Sequence, residues 1–87
     1  AEVRSAADRL SSERTRERAA ALRAALFAYA GARHDETLGS LLERVPEDQQ
    51  SLRASLRMAE RATFIDEAHL QAAIEDVLDA VRRMGYL

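Results

Sequence analysis

The sequence predicts an all-α fold, and three observations carry the prediction. Thirteen arginines and eighteen alanines, with no lysine, stand among 87 residues, so the chain is built almost wholly of strong helix formers. Breakers are scarce: Gly31, Pro46 and Gly85 fall where helices should end. Between them, apolar side chains recur at helical rather than alternating spacing. The expected architecture is a small four-helix bundle made of two αα-hairpins, preceded by a helical arm free to detach. The alanine–arginine bias also marks a GC-rich coding sequence of the bacterial kind.

The first helical segment is expected from about Ala1 to Ala30, interrupted at Ser11-Ser12, because serines compete for backbone hydrogen bonds and favour caps. Ser12 before Glu13 is the expected N-cap. It divides the chain into an arm at 1–12 and a bundle domain at 13–87. The arm's apolar face (Val3, Ala7, Leu10) is thin, as in a linker or a segment that orders on binding. Ala19, Leu22, Leu26 and Tyr29 then follow helical spacing, and Gly31 is placed as a C′ glycine.

A second helix is expected over Asp35 to Val45, capped by Asp35, with Leu38, Leu41, Leu42 and Val45 on one face. Pro46 stops it and opens a third helix at its N1 position, with Leu52, Leu56, Ala59 and Ala62 as the buried stripe. Asp66 is the expected N-cap of the fourth helix, with Ile65 and Leu70 placed as a hydrophobic staple. That helix runs to Met84. Leu70, Ile74, Val77, Val81 and Met84 repeat in steps of four, three, four and three, with Leu78 adding a second apolar row. Gly85 is its C′ residue, and Tyr86 is placed to fold back in a Schellman contact. Residues 21–45 align with 53–77 as helix, acidic turn, helix, the pattern of two stacked hairpins.

A chain this short buries about 60–65% of its unfolded surface. The apolar fraction is 47%, but much of it is alanine, so Phe27, Tyr29, Phe64, Tyr86 and eleven leucines are expected to fill the core. Net charge is −2, without the basic excess of a nucleic-acid or anionic-membrane binder. No cysteine is present, which removes disulfides and thiolate metal sites and suits a cytoplasmic location. No apolar run is long enough to span a membrane. The N-terminal residues lack the apolar core of a signal peptide. Starting without methionine, the chain reads as a processed product or an excised domain.

The residues that could carry chemistry favour plain readings. His69 lies three residues after Asp66, half of a carboxylate–histidine metal pair, but Asp66 is needed as a cap and no Glu-x-x-His motif occurs. His34 falls in a turn. The serines have no nucleophile elbow, and there is no glycine-rich phosphate loop. Glu75 and Asp79 are exposed helical neighbours of Arg82 and Arg83. No catalytic residue, cofactor, metal or small-molecule substrate is therefore expected.

Two surfaces remain as candidates. Leu70, Ile74, Val77, Val81 and Met84 are the candidate interface for a protein partner or a second copy, if that seam is not spent on the chain's own core. Arg53, Arg57 and Arg61 form an i, i+4, i+8 stripe and are the candidate anion contact. Arg14 and Arg18, with Arg4 upstream, form a looser one. A DNA-binding regulator is disfavoured because Glu47, Asp48 and Glu60 share the arginine helix and no base-reading cluster opens it.

Residues 57–74, RMAERATFIDEAHLQAAI, resemble a helix–turn–helix step in the helical lid of AAA+ ATPases and in the N-terminal domain of Clp chaperones. Alanines, an isoleucine at the turn, an acidic cap and an apolar helix carry the resemblance. It implies an accessory module without a nucleotide site of its own. The leading expectation is a non-enzymatic helical interaction or oligomerisation module; the accessory domain comes second and the DNA-binding regulator third.

Overall fold

The computed structural model describes residues 2–85, which form five helices and no strand: α1 (Glu2–Ser12), α2 (Arg16–Tyr29), α3 (Leu38–Arg44), α4 (Gln50–Phe64) and α5 (Glu67–Arg83). The all-α class and small bundle are as expected. Several helix starts are not, and each moved to a residue that satisfies the end of its helix better.

Ser12 ends α1 instead of capping α2. Thr15 is the cap: its backbone is extended and its Oγ1 accepts the Arg18 N–H at 3.2 Å. The turn between is tied to α5, because the Arg14 carbonyl accepts from the Gln71 side chain at 3.0 Å and Arg14 pairs with Glu75. α2 can resume only after that anchor.

Asp35 does not cap α3. It sits at φ 57°, in the left-handed region that short polar residues tolerate, whereas an N-cap needs extended backbone. Thr37 supplies it and accepts from Ser40 N at 3.2 Å. Pro46 likewise opens a turn rather than a helix, with the Gln49 N–H donating to its carbonyl at 3.1 Å. α4 starts four residues later than expected. The orphan carbonyls at the end of α3 are taken by Arg53, whose Nη1 donates to Leu42 O at 2.7 Å and Val45 O at 3.0 Å.

Asp66 does occupy the cap position of α5, yet its carboxylate makes no cap bond. Both of its oxygens lie 2.9 Å from His69 Nδ1. That contact holds the Asp66 carboxyl below its ordinary pKa. Gly31 and Gly85 take positive φ, 81° and 90°, as C′ glycines. At Gly31 the full Schellman pair forms, Ala32 N–H to Phe27 O at 2.9 Å and Gly31 N–H to Ala28 O at 3.1 Å. The contact expected of Tyr86 lies outside the described residues.

The packing is a ring. α1 lies on α2, α2 on α4, α4 on α5, and α5 returns to α1. The short α3 leans on α4 from outside. Two αα-hairpins are present, but they are α1–α2 and α4–α5. The alignment of 21–45 with 53–77 does not carry into three dimensions, since α3 has 7 residues where α5 has 17. The arm at 1–12 is docked: Val3, Ala7 and Leu10 are buried in the same cluster as Leu22, Leu26, Leu56, Ile74 and Leu78.

The aromatic residues fill less of this core than composition implied. Phe27 is buried, but Tyr29 and Phe64 are 56% and 69% exposed. Alanines at 19, 59, 62 and 73 stand at the buried positions, so the helices have little room between them for rings. Phe64 also follows Ala62 by two residues, about 200° around the helix from its stripe.

Candidate functional site

The seam expected as an interface is the interior of the bundle. Leu70 is 4% exposed, and Ile74, Val77 and Val81 are fully buried. Met84 is half-buried, with its sulfur 3.0 Å from the Ser55 hydroxyl. These residues hold the fold and offer no free face.

The arginine stripe of α4 is dispersed in the same way. Arg53 is committed to the carbonyls of α3. Arg61 pairs with Asp76 on α5 at 3.1 Å. Of these three, Arg57 stays exposed and without a side-chain partner among the described residues. Glu75, expected beside Arg82 and Arg83, reaches Arg14 instead, while Asp79 takes Arg82 at 2.9 Å.

What the structure assembles is a cleft of about 590 Å³ between α2, the end of α4 and the α2–α3 loop. Arg23 lies at its base, its guanidinium carbon 4.1 Å from the Phe27 ring centroid and 5.5 Å from that of Phe64. Glu60 holds the Arg23 Nε at 2.5 Å. Both contacts fix an otherwise flexible side chain between two rings. Ala24, Ala28 and Ala32 give the cleft an apolar wall, and Arg33, His34 and Asp35 form the facing rim. The exposed Phe64 is its most prominent apolar feature.

Glu36 fixes that rim. Its carboxylate accepts from the Arg33 N–H at 2.9 Å, the Ser40 hydroxyl at 2.8 Å and Arg44 Nε at 3.0 Å, with a further contact to Arg44 Nη2. The same Arg44 donates to Gly31 O at 3.1 Å, closing the loop end to end. Arg44 first, then these other donors, lower the Glu36 pKa from 4.5 to about 2. A carboxyl depressed on folding stabilises the folded loop above its ordinary pKa and loses that effect as pH falls toward the folded value. The Arg33 amide, which donates to Glu36, should therefore be protected from hydrogen exchange, relative to its intrinsic rate at each pH, at neutral pH and lose that protection on acidification from 4.5 toward 2. Glu36→Gln should flatten that profile; an unchanged profile in this variant would remove Glu36 as the loop's lock.

Sequence reading missed this site because its parts are 41 positions apart, Arg23 to Phe64, and meet only through the packing of α2 on α4. The legible signal was Phe64 itself, a large ring off the buried stripe. Among the described residues no group of three or more acidic or histidine side chains could hold a metal ion, and no helix is long and apolar enough to cross a membrane. The chain matches no known family, no curated protein and no solved structure.

Proposed function

We propose that this chain is a non-enzymatic protein–protein interaction module, working in a reducing cytoplasm, whose contact surface is Phe64 and the cleft beside Arg23 rather than the α5 seam. The observation that carries this reading is the 69% exposure of Phe64 over an arginine already held between rings and Glu60. Aromatic and arginine side chains anchor interfaces, and an anchor fixed before binding loses less freedom on association. The cleft's titratable groups are largely spent on one another: Glu36 with Arg44, Glu60 with Arg23, Asp35 with His34 at 3.2 Å. That pairing suits recognition better than proton transfer, which needs a group free to exchange.

A photo-crosslinking phenylalanine analogue placed at position 64 in cells tests the proposal, with the same group at the exposed Asp79 as control. A discrete covalent adduct from position 64, absent from position 79, is the expected result. No adduct from position 64 would overturn the reading.

A further inference from the structure

The cleft beside Arg23 has open donors, while its acceptors are largely spent. Each carboxylate along it already faces a cation: Glu36 meets Arg44, Glu60 meets Arg23 and Asp35 meets His34. The Thr37 hydroxyl oxygen accepts the Ser40 N–H as the cap of α3. The two arginines that line the cleft are in a different condition. Arg23 gives its Nε to Glu60, and its terminal nitrogens meet no acceptor among the described residues. Arg33 gives its backbone N–H to Glu36, and its exposed side chain has no partner among the described residues. Both are held in place. Arg23 is flanked by the rings of Phe27 and Phe64, and Arg33 sits on the loop that Glu36 and Arg44 lock.

Those donors specify an acceptor. A guanidinium takes a carboxylate through two parallel N–H groups, and the pair strengthens where apolar surroundings thin the water around it. Ala24, Ala28 and the exposed Phe64 supply such surroundings on the same cleft. Donors and wall together favour a carboxylate with an apolar side chain beside it. They disfavour two other occupants. A cationic segment meets Arg23 and Arg33 with no unpaired carboxylate to answer it. A polyanion finds no attracting field, because with the Arg44 that pairs with Glu36 the cleft sets three arginines against three carboxylates. Selection is therefore local, by hydrogen bonding and apolar contact.

We infer that the partner protein meets this cleft with an acidic–apolar segment: its carboxylate is drawn to the open guanidinium nitrogens of Arg23 and Arg33, and its apolar side chain lies against Phe64 and the alanines of α2. This rests on the interaction reading above and names the chemistry of its partner.

Nuclear magnetic resonance of the intact chain, labelled with nitrogen-15, measures it. Short blocked peptides, otherwise of glycine and serine, carry a central glutamate–phenylalanine, glutamine–phenylalanine, lysine–phenylalanine or glutamate–alanine pair. The glutamate–phenylalanine peptide should shift the Nε–H signals of Arg23 and Arg33 and the backbone amides around Phe64. It should bind about tenfold more tightly than its glutamine counterpart, and the lysine peptide should bind weakest. Arg33→Gln, at an exposed loop position, should leave the helical circular dichroism unchanged and narrow the glutamate preference to about threefold. Phe64→Ala should abolish the advantage of phenylalanine over alanine in the peptide. Equal binding of the glutamate and glutamine peptides overturns the inference, as does a lysine preference, a glutamate preference indifferent to Arg33→Gln, or no shift around the cleft at millimolar peptide. Crosslinking of position 64 to a second copy of the chain overturns it too. If position 64 crosslinks to another protein while the peptides show no glutamate preference, this inference falls and the interaction reading stands. If it crosslinks to nothing, both fall.

Discussion

Val77→Asp should unfold the domain. Val77 is fully buried near the middle of α5, the helix that packs on both α4 and α1. A carboxyl placed there must either stay ionised without solvent or take up a proton, and either course costs several kcal/mol. The lost valine packing adds about 1 kcal/mol more. A domain of this length is stable by about 4–13 kcal/mol in total, at 0.05–0.15 per residue. A penalty of about 5 kcal/mol therefore removes a large part of it, lowering the melting temperature by roughly 20–40 °C at 4–8 °C per kcal/mol. Thermal unfolding followed by circular dichroism at the helical band is the measurement, with Val77→Ala and the exposed Asp79→Ala as graded controls. A Val77→Asp chain that melts like wild type would mean that this seam faces water. The result matters for any binding study: a seam variant that fails to bind has lost its fold, and only a surface variant such as Phe64→Asp reports on contact.

The fate of that seam marks how far the sequence could be read. Four-three spacing identifies a face that must be covered, and α5 runs as that spacing requires, from Glu67 to Arg83. Spacing does not say whether the cover is the chain itself or another molecule; that depends on where α1, α2 and α4 lie, which no local pattern contains. Helix ends at glycine were legible because the left-handed C′ position strongly favours that residue. Helix starts at Asp35 and Pro46 were not. Several residue types can begin a helix, and the decision fell to long-range partners, Arg44 on Glu36 and Arg53 on the carbonyls of Leu42 and Val45. Arg53 is the sharpest case: as one of three arginines in a row it looked like an anion contact, and it is instead the clamp joining α3 to α4. The cleft was illegible for the same reason, since Arg23, Phe27, Glu60 and Phe64 belong to two helices that sequence reading had not placed side by side.

Leu10→Ala should cost about 2–4 kcal/mol, though the residue lies in a segment whose sequence resembles a loose arm. Leu10 is fully buried with Ala7, and Val3 is nearly so. Three side chains on eleven residues make a thin stripe, and in isolation a helix of that length is marginal in water. α1 is ordered because α2 and α5 each give it a surface, and it in turn covers theirs. Truncating Leu10 leaves a cavity in the buried cluster. Urea unfolding distinguishes a docked α1 from a detached one. With α1 in the ring, the midpoint falls by roughly 1–2 M at a slope of about 2 kcal/mol per molar, and the slope itself stays the same, because the helix still unfolds with the rest. A detached arm would leave the midpoint of Leu10→Ala where wild type has it.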